Sequence, residues 1–331
     1  MYRSSLAVCA DAGHALGQRG IPNSNGAENM RHIILHYHIL KNAGSTFVST
    51  LRRNFGDNFA TFDSPRYDQL LRPEALVEFV KERPNIVAIS SHHFFPPVPQ
   101  MNGIQFHEVL ILRNPLDRLR SMYDFFRRME ATDNPLTVEA KRLTLPAFLE
   151  LLIQIRPNLI TNAQVNAIVN RGGRFPDQED ADRALRFLRS VAAVGVVEAF
   201  DVFALSAEHS LRAVFPGCDF SYVPENISPR RKGDLQSRLR QLANDCGQDL
   251  YQRIVSLNQY DTNLVEAAAA ESLRRSREIA FSSFHVRELR TRVIRRKLLS
   301  RITNNQSRLQ RLWKRATRII SKPVSSHTSI H

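Results

Sequence analysis

Lys41 ends an apolar run and is followed by Asn42, Ala43 and Gly44, then by two hydroxyls, Ser45 and Thr46. A glycine-bearing loop between a strand and a helix exposes free backbone N–H groups at the positive end of the helix dipole. Such a loop suits a phosphate or a phosphate-like anion. Lys41 adds a full charge, and Ser45 and Thr46 add hydroxyl donors. The spacing is not that of a Walker A loop, because Lys41 precedes Gly44 by three residues instead of following the glycines. A strand cap with a solvated lysine is the plainer alternative.

Two further segments carry chemistry. "NIVAISSHH" brings Ser90, Ser91, His92 and His93 to the end of an apolar stretch, and "HEVLILRNPLDRLRS" ends a third in Arg113, with Ser121 eight residues on. Where an ATP-using enzyme often places an aspartate for magnesium, this strand end has an arginine, which repels a metal and forks onto phosphate oxygens. The alternative for Arg113 is a pair with Asp117 or Asp124. A histidine is the usual base for a neutral-pH proton transfer. Zinc is disfavoured, because adjacent histidines point to opposite faces of a strand. No metal is expected.

These residues need a scaffold that brings three strand ends together. Strands are expected at 32–38, 85–90, 107–113 and 192–197, and helices at 44–54, 73–82, 114–129, 146–155, 180–191 and 199–213. Strands separated by helices imply a parallel sheet covered on both faces, and such sheets bind ligands at the C-terminal ends of their strands.

Composition is ordinary for a globular chain, with 43% hydrophobic and 24% charged residues. No run of eighteen apolar residues is present, so no spanning helix is expected. The three cysteines, Cys9, Cys218 and Cys246, make an odd count without metal spacing, which suits a reducing compartment. Residues 1–30 are expected to be loosely ordered, with no signal peptide, and Met30 is a candidate true start.

The charge is concentrated at one end. Of a formal net +14, residues 271–331 hold +13, from 16 Lys and Arg against 3 Glu. Between 285 and 320, Val286, Leu289, Val293, Leu298, Ile302, Leu309, Leu312 and Trp313 recur at roughly helical spacing among arginines. Asn304-Asn305 is expected to divide this stretch into two helices. It reads either as a surface helix packed on the body or as one lying on an anionic membrane surface. Nucleic acid is disfavoured, since the rest of the chain is near neutral and aromatic interleaving is scarce.

Taken together, these segments resemble the sulfotransferases that use 3′-phosphoadenosine-5′-phosphosulfate (PAPS), in the carbohydrate branch that includes heparan-sulfate 2-O-sulfotransferase. His38-Ile39-Leu40-Lys41-Asn42-Ala43-Gly44-Ser45-Thr46 is similar to that family's H-I-P-K-T-G-G-T-S, and Leu112 to Tyr123 to its L-R-D-P-V-E-R-x-x-S-x-Y. Ser91-His92 stands where the family often has G-H. Weaker likenesses are "VGVVEAFD", "ENISPRRKGD" and "LNQYDTNLVE". The resemblance covers about residues 32–268. Leu40, Asn42, Ser91 and Asn114 depart from the family's proline, threonine, glycine and aspartate.

The resemblance implies an α/β fold with a P-loop NTPase-like parallel sheet flanked by helices. The domain would span 31–270, with a basic helical extension over 271–331. It implies a sulfuryl transfer from PAPS to a hydroxyl of a carbohydrate or glycolipid. Lys41 would neutralise the leaving oxygen, the loop Asn42 to Thr46 would cradle the 5′-phosphate, and Arg113 and Ser121 would grip the 3′-phosphate. Arg230, Arg231 and Lys232 would close over it. His92, or else His93, would be the base, and Asn162 and Gln164 would touch the acceptor or else cap helices. With no signal peptide or spanning helix expected, and in contrast to the anchored Golgi relatives, the expected location is cytoplasmic, with the tail resting on the inner membrane surface. The competing readings are a nucleotide-dependent kinase and a catalytically lapsed membrane-surface adaptor.

Overall fold

The computed structural model describes residues 30–66, 69–130, 134–169, 174–226, 233–279 and 281–320, with side chains through 302. Five strands are described: β1 (Arg31–Tyr37), β2 (Phe59–Thr61), β3 (Ala88–Ser91), β4 (Ile104–Leu112) and β5 (Ala193–Val196). They form one parallel sheet in the order β2-β3-β1-β4-β5. The helices are α1 (Gly44–Phe55), α2 (Pro73–Lys81), α3 (Pro115–Arg128), α4 (Pro135–Arg142), α5 (Leu145–Ile155), α6 (Ala163–Val169), α7 (Gln178–Ser190), α8 (Phe200–Arg212), α9 (Leu235–Cys246), α10 (Gln248–Ser256), α11 (Gln259–Glu278) and α12 (Ser283–Ile320).

The near-continuous apolar runs of β1 and β4 follow from burial on both faces. Period-two alternation sends Ile33, Leu35, Tyr37, Leu110 and Leu112 to one core, which is closed by α2, α6, α7 and α11. Ile34, Val109 and Ile111 face the other, closed by α1, α8 and the start of α12. A third apolar cluster packs α3, α4, α5, α9 and α10 together beside the sheet.

Several expectations are corrected. β3 begins at Ala88 and not at 85, and β4 reaches back to Ile104. The three-residue β2 carries too little pattern to be read, and α4, α6, α9 and α10 were not expected from periodicity. Helix α12 runs unbroken through Asn304-Asn305. Its Leu289 and Val293 are buried in the second core, and α11 passes through residue 270 with Ala268 and Ser272 buried. The chain beyond 270 therefore helps to build the core. Residues 1–29 and Arg230, Arg231 and Lys232 lie outside the described residues.

Candidate functional site

The ends of β1, β3 and β4 meet at a cavity of about 570 Å³, lined among others by Lys41, Gly44, Ser45, Thr46, His92, Arg113 and Ser121. This is the place a parallel sheet reserves for ligands.

The loop from Ile39 to Ala43 is tightly wound. Lys41 and Ala43 both have left-handed backbones, with φ of 69° and 59°. For residues other than glycine that conformation costs on the order of 1–2 kcal/mol each. Asn42 holds the turn: it is buried, and its Nδ2 donates to the Ile111 carbonyl at 3.0 Å and to Gln164 Oε1 at 2.8 Å. Asn42 is thus a pin beneath the cavity, not part of its lining. Ala43 ends the turn without a side-chain cap. Among the described residues, the N–H groups of Gly44, Ser45 and Thr46 find no acceptor, and all three residues line the cavity. Gly44 is required by a neighbour: a Cβ there would lie 1.8 Å from Cδ2 of His38.

Lys41 extends over the ring of Phe125, its Nζ 4.1 Å from the centroid. Burial, with Arg113 and Arg128 nearby, pushes its ammonium down to about 8, against the opposing pull of Asp124. Ser45 Oγ accepts from Asn226 Nδ2 at 3.1 Å, and Thr46 Oγ1 accepts from the Glu225 N–H at 2.9 Å. Each hydroxyl serves here as acceptor, so its proton remains free to donate to an anion.

Arg113 is buried and heavily engaged. Its Nε and Nη2 hold Asp117 Oδ2 at 3.0 and 2.7 Å, and its Nη1 holds the Lys41 carbonyl at 2.9 Å. Asp117 is shared with Arg238, whose Nε donates to Oδ1 at 2.7 Å. Burial alone would raise the Asp117 carboxyl; the two guanidiniums outweigh it and hold the group below its usual range. Arg238, from α9, and Arg120, from α3, line the cavity too. Arg238 was not singled out in the sequence, because nothing local links α9 to the strand ends. Arg120 pairs with Asp245. The opposite wall is Phe200, Tyr222 and Val197. The ring of Tyr222 meets Phe200 edge-on at 4.5 Å, and its hydroxyl donates to Asp201 at 2.8 Å.

The histidine alternatives separate. Ser91 Oγ accepts from the N–H groups of His93 and Phe94 at 3.1 and 2.9 Å, and Asp63 Oδ1 accepts from the His92 N–H at 2.6 Å. This turn sends His92 to the cavity. It sends His93 away, to Asp63 Oδ1 at 3.2 Å and the Ser64 N–H at 3.3 Å. His92 stacks on His38 with centroids 3.6 Å apart, and His38 on His36 at 5.4 Å. Burial lowers all three below the ordinary imidazole range, His36 to about 3; His92 deepens the shift of His36 and His38, while Asp63 pulls against the burial of His92. A neutral, cavity-facing imidazole is competent to accept a proton. His38 and Asp63, which orient it, were not singled out; His38 stands in the quoted motif, but Asp63 carries no local signal.

Asn162 and Gln164 do not reach the cavity. Gln164 is fully buried: its Oε1 accepts from Asn42 Nδ2 and from the Arg113 N–H at 3.0 Å, and its Nε2 donates to the Arg113 carbonyl at 2.9 Å. Asn162 accepts the Asp261 N–H at 3.1 Å. Asp261 in turn caps α6, accepting from the N–H groups of Gln164 and Val165. Of the two roles the sequence left open for Asn162 and Gln164, acceptor contact or helix capping, neither amide takes the first here: Gln164 joins the first turn of α6 to the ends of β1 and β4, and Asn162 caps the first turn of α11.

The tail also touches the site. Arg292 bridges Glu208 and Asp219, Arg296 holds Asp219 and Ser221, and Arg290 meets Asp201, the partner of Tyr222. Helix α12 thus fixes residues 219–222, which lead into Glu225 and Asn226 over Ser45 and Thr46.

Among the described residues no cluster of His, Cys, Asp and Glu could hold a metal ion, and no helix is long and apolar enough to cross a membrane. No protein-family model matches the chain. It is similar to an uncharacterized protein of Archaeoglobus fulgidus, 25% identical over 241 residues that span 71% of this chain and 95% of the archaeal one. That similarity carries no activity with it.

Proposed function

We propose that the chain is a PAPS-dependent sulfotransferase with a P-loop-like nucleotide site, acting on a hydroxyl of a carbohydrate or glycolipid. One observation carries the reading: an uncapped helix start with free N–H groups, Lys41 beside it, and a neutral His92 share one cavity. The donor set fits a nucleotide bearing phosphates at both ends. Gly44, Ser45 and Thr46 would hold the 5′-phosphate by N–H and hydroxyl donors, and Ser121 with the two guanidiniums that share Asp117, Arg113 and Arg238, would hold the 3′-phosphate. Phe200 and Tyr222 offer aromatic surface for a base to pack against. When bound, the nucleotide supplies the sulfuryl group.

The protein's own work is placement and charge stabilisation, as in phosphoryl transfer. Lys41 would neutralise charge growing on the departing oxygen, and His92 would take the proton of the attacking hydroxyl. Arg113 has a second task in this reading. With its guanidinium committed to Asp117 and the Lys41 carbonyl, it keeps the lysine loop in place.

The test is calorimetric titration with 3′-phosphoadenosine-5′-phosphate in EDTA, beside magnesium–ATP, on wild type, Lys41→Ala and Arg238→Ala. Metal-independent binding, weakened in both variants, supports the reading. Binding of magnesium–ATP alone would replace it with a kinase, and nucleotide binding without turnover on any glycan would mark a lapsed enzyme.

A further inference from the structure

Helix α12 has two apolar faces, and the body uses only one. Leu289 and Val293 are buried in the second core. Ile294, Leu298 and Ile302, at i, i+4 and i+8, are each more than half exposed. At 3.6 residues per turn this second series is rotated by roughly 100–180° from the first. Three aliphatic side chains in register on the solvent face of a docked helix are not scattered surface hydrophobics. In the sequence the series continues at helical spacing, through Leu309, Leu312, Trp313, Ala316 and Ile320.

The charges around the exposed series say what covers it. Helix α12 carries 12 Lys and Arg against a single Glu, a net of +11. Arg290, Arg292 and Arg296 are used by carboxylates of the body. Arg287, Arg295, Lys297 and Arg301 have no carboxylate partner among the described residues. A second copy of this helix would bring like charges together along its length. A flat anionic surface with an apolar interior would take both features at once: the aliphatic residues enter below the headgroups, and long basic side chains reach up to them.

We propose that the exposed face of α12 docks on an anionic lipid bilayer surface, through Ile294, Leu298 and Ile302 with Arg287, Arg295, Lys297 and Arg301 around them. The docked face of the same helix holds the wall of the cavity, so the site is carried at the membrane with it. This proposal does not depend on the reaction proposed above.

The test is flotation of the full chain with phosphatidylcholine vesicles, with and without phosphatidylglycerol. Removing α12 would strip Leu289 and Val293 from the core, so exposed positions are substituted instead: Ile294→Glu, Leu298→Glu and Ile302→Glu combined, and Arg287→Gln, Arg295→Gln, Lys297→Gln and Arg301→Gln combined. Thermal melting confirms that both variants are folded, and sedimentation reports the oligomer. The expected result is that wild type floats with the anionic vesicles and binds those of phosphatidylcholine alone at least tenfold less. Each variant loses at least tenfold of the anionic binding. The proposal is overturned by wild type left unbound by both vesicles, or by the aliphatic variant floating as well as wild type. A wild-type dimer that the aliphatic variant splits would overturn it too, as would duplex DNA captured by a chain that ignores vesicles.

Discussion

The strand ends carry two polar clusters that differ in what they leave unfinished. Beneath the cavity, Gln164, Asn162 and Asp261 spend their hydrogen bonds on Asn42, Arg113 and the first turn of α6. On the cavity, the N–H groups of Gly44, Ser45 and Thr46 have no acceptor, two hydroxyls keep a proton to give, and Lys41 has an aromatic face for company. Both clusters are polar and close to the same three strands. Buried polar groups that are satisfied define a framework, and donors left free at a cavity define a place for a ligand.

The comparison breaks most visibly at Gln164. Replacing it with alanine takes away the partner of the Arg113 N–H and of the Arg113 C=O in the interior, and removes one bond each from Asn42 and Asp261, which keep the Ile111 carbonyl and the N–H groups of residues 164 and 165. At about 1–3 kcal/mol for each of the two orphaned groups, Gln164→Ala is expected to cost about 2–6 kcal/mol, read from urea unfolding. A variant of wild-type stability with a raised acceptor KM would return Gln164 to the substrate. Lys41→Ala should do the opposite, with stability nearly unchanged and turnover lower by about 10²–10³-fold, the usual loss for one transition-state donor.

The two histidines sharpen the same distinction side by side. His92→Ala should lower turnover by about 10²-fold or more, with nucleotide binding retained. His93→Ala removes a ring that faces Asp63 and Ser64 and does not line the cavity, and should leave turnover within a few-fold of wild type. Equal losses in both would mean that the turn at Ser91 matters and not the ring on the cavity. That outcome would show as a shared fall in melting temperature.

Much of the site was legible because strand, loop and helix are local objects. Lys41 to Thr46, His92 and Arg113 each lie next to an apolar run whose end can be seen in the sequence, and the parallel sheet follows from strands alternating with helices. What the sequence hid is tertiary. Asp63 selects between His92 and His93 from twenty-nine and thirty residues away. Asp261 caps a helix nearly a hundred residues before it, which gives the stretch "LNQYDTNL" its structural purpose. Arg238 shares Asp117 with Arg113 across the molecule. In α12 the periodicity showed apolar residues, but only the packing divides them into a buried face and an exposed one. Asn304 and Asn305 are poor helix formers by propensity, and the backbone continues through them regardless.

The smallest expected effect is also the one that tests the cavity's electrostatics most directly. Burial and two arginines bring the Lys41 ammonium down to about 8, whereas an unfolded lysine titrates at its ordinary 10.5. Between those values the unfolded chain binds more protons than the folded one, so this group makes the protein more stable as pH rises through the window. Anion binding has the reverse sign. The phosphates of the nucleotide are already fully ionised there, and above about pH 8 the lysine must regain a proton to hold them. The affinity for 3′-phosphoadenosine-5′-phosphate should therefore be flat up to about pH 8 and then fall, approaching tenfold per pH unit. In Lys41→Ala the decline should vanish. In Lys41→Arg, whose charge does not titrate in this range, the profile should stay flat. A decline that survives in both variants would assign the titration to another group and leave Lys41 as a solvated cap on β1.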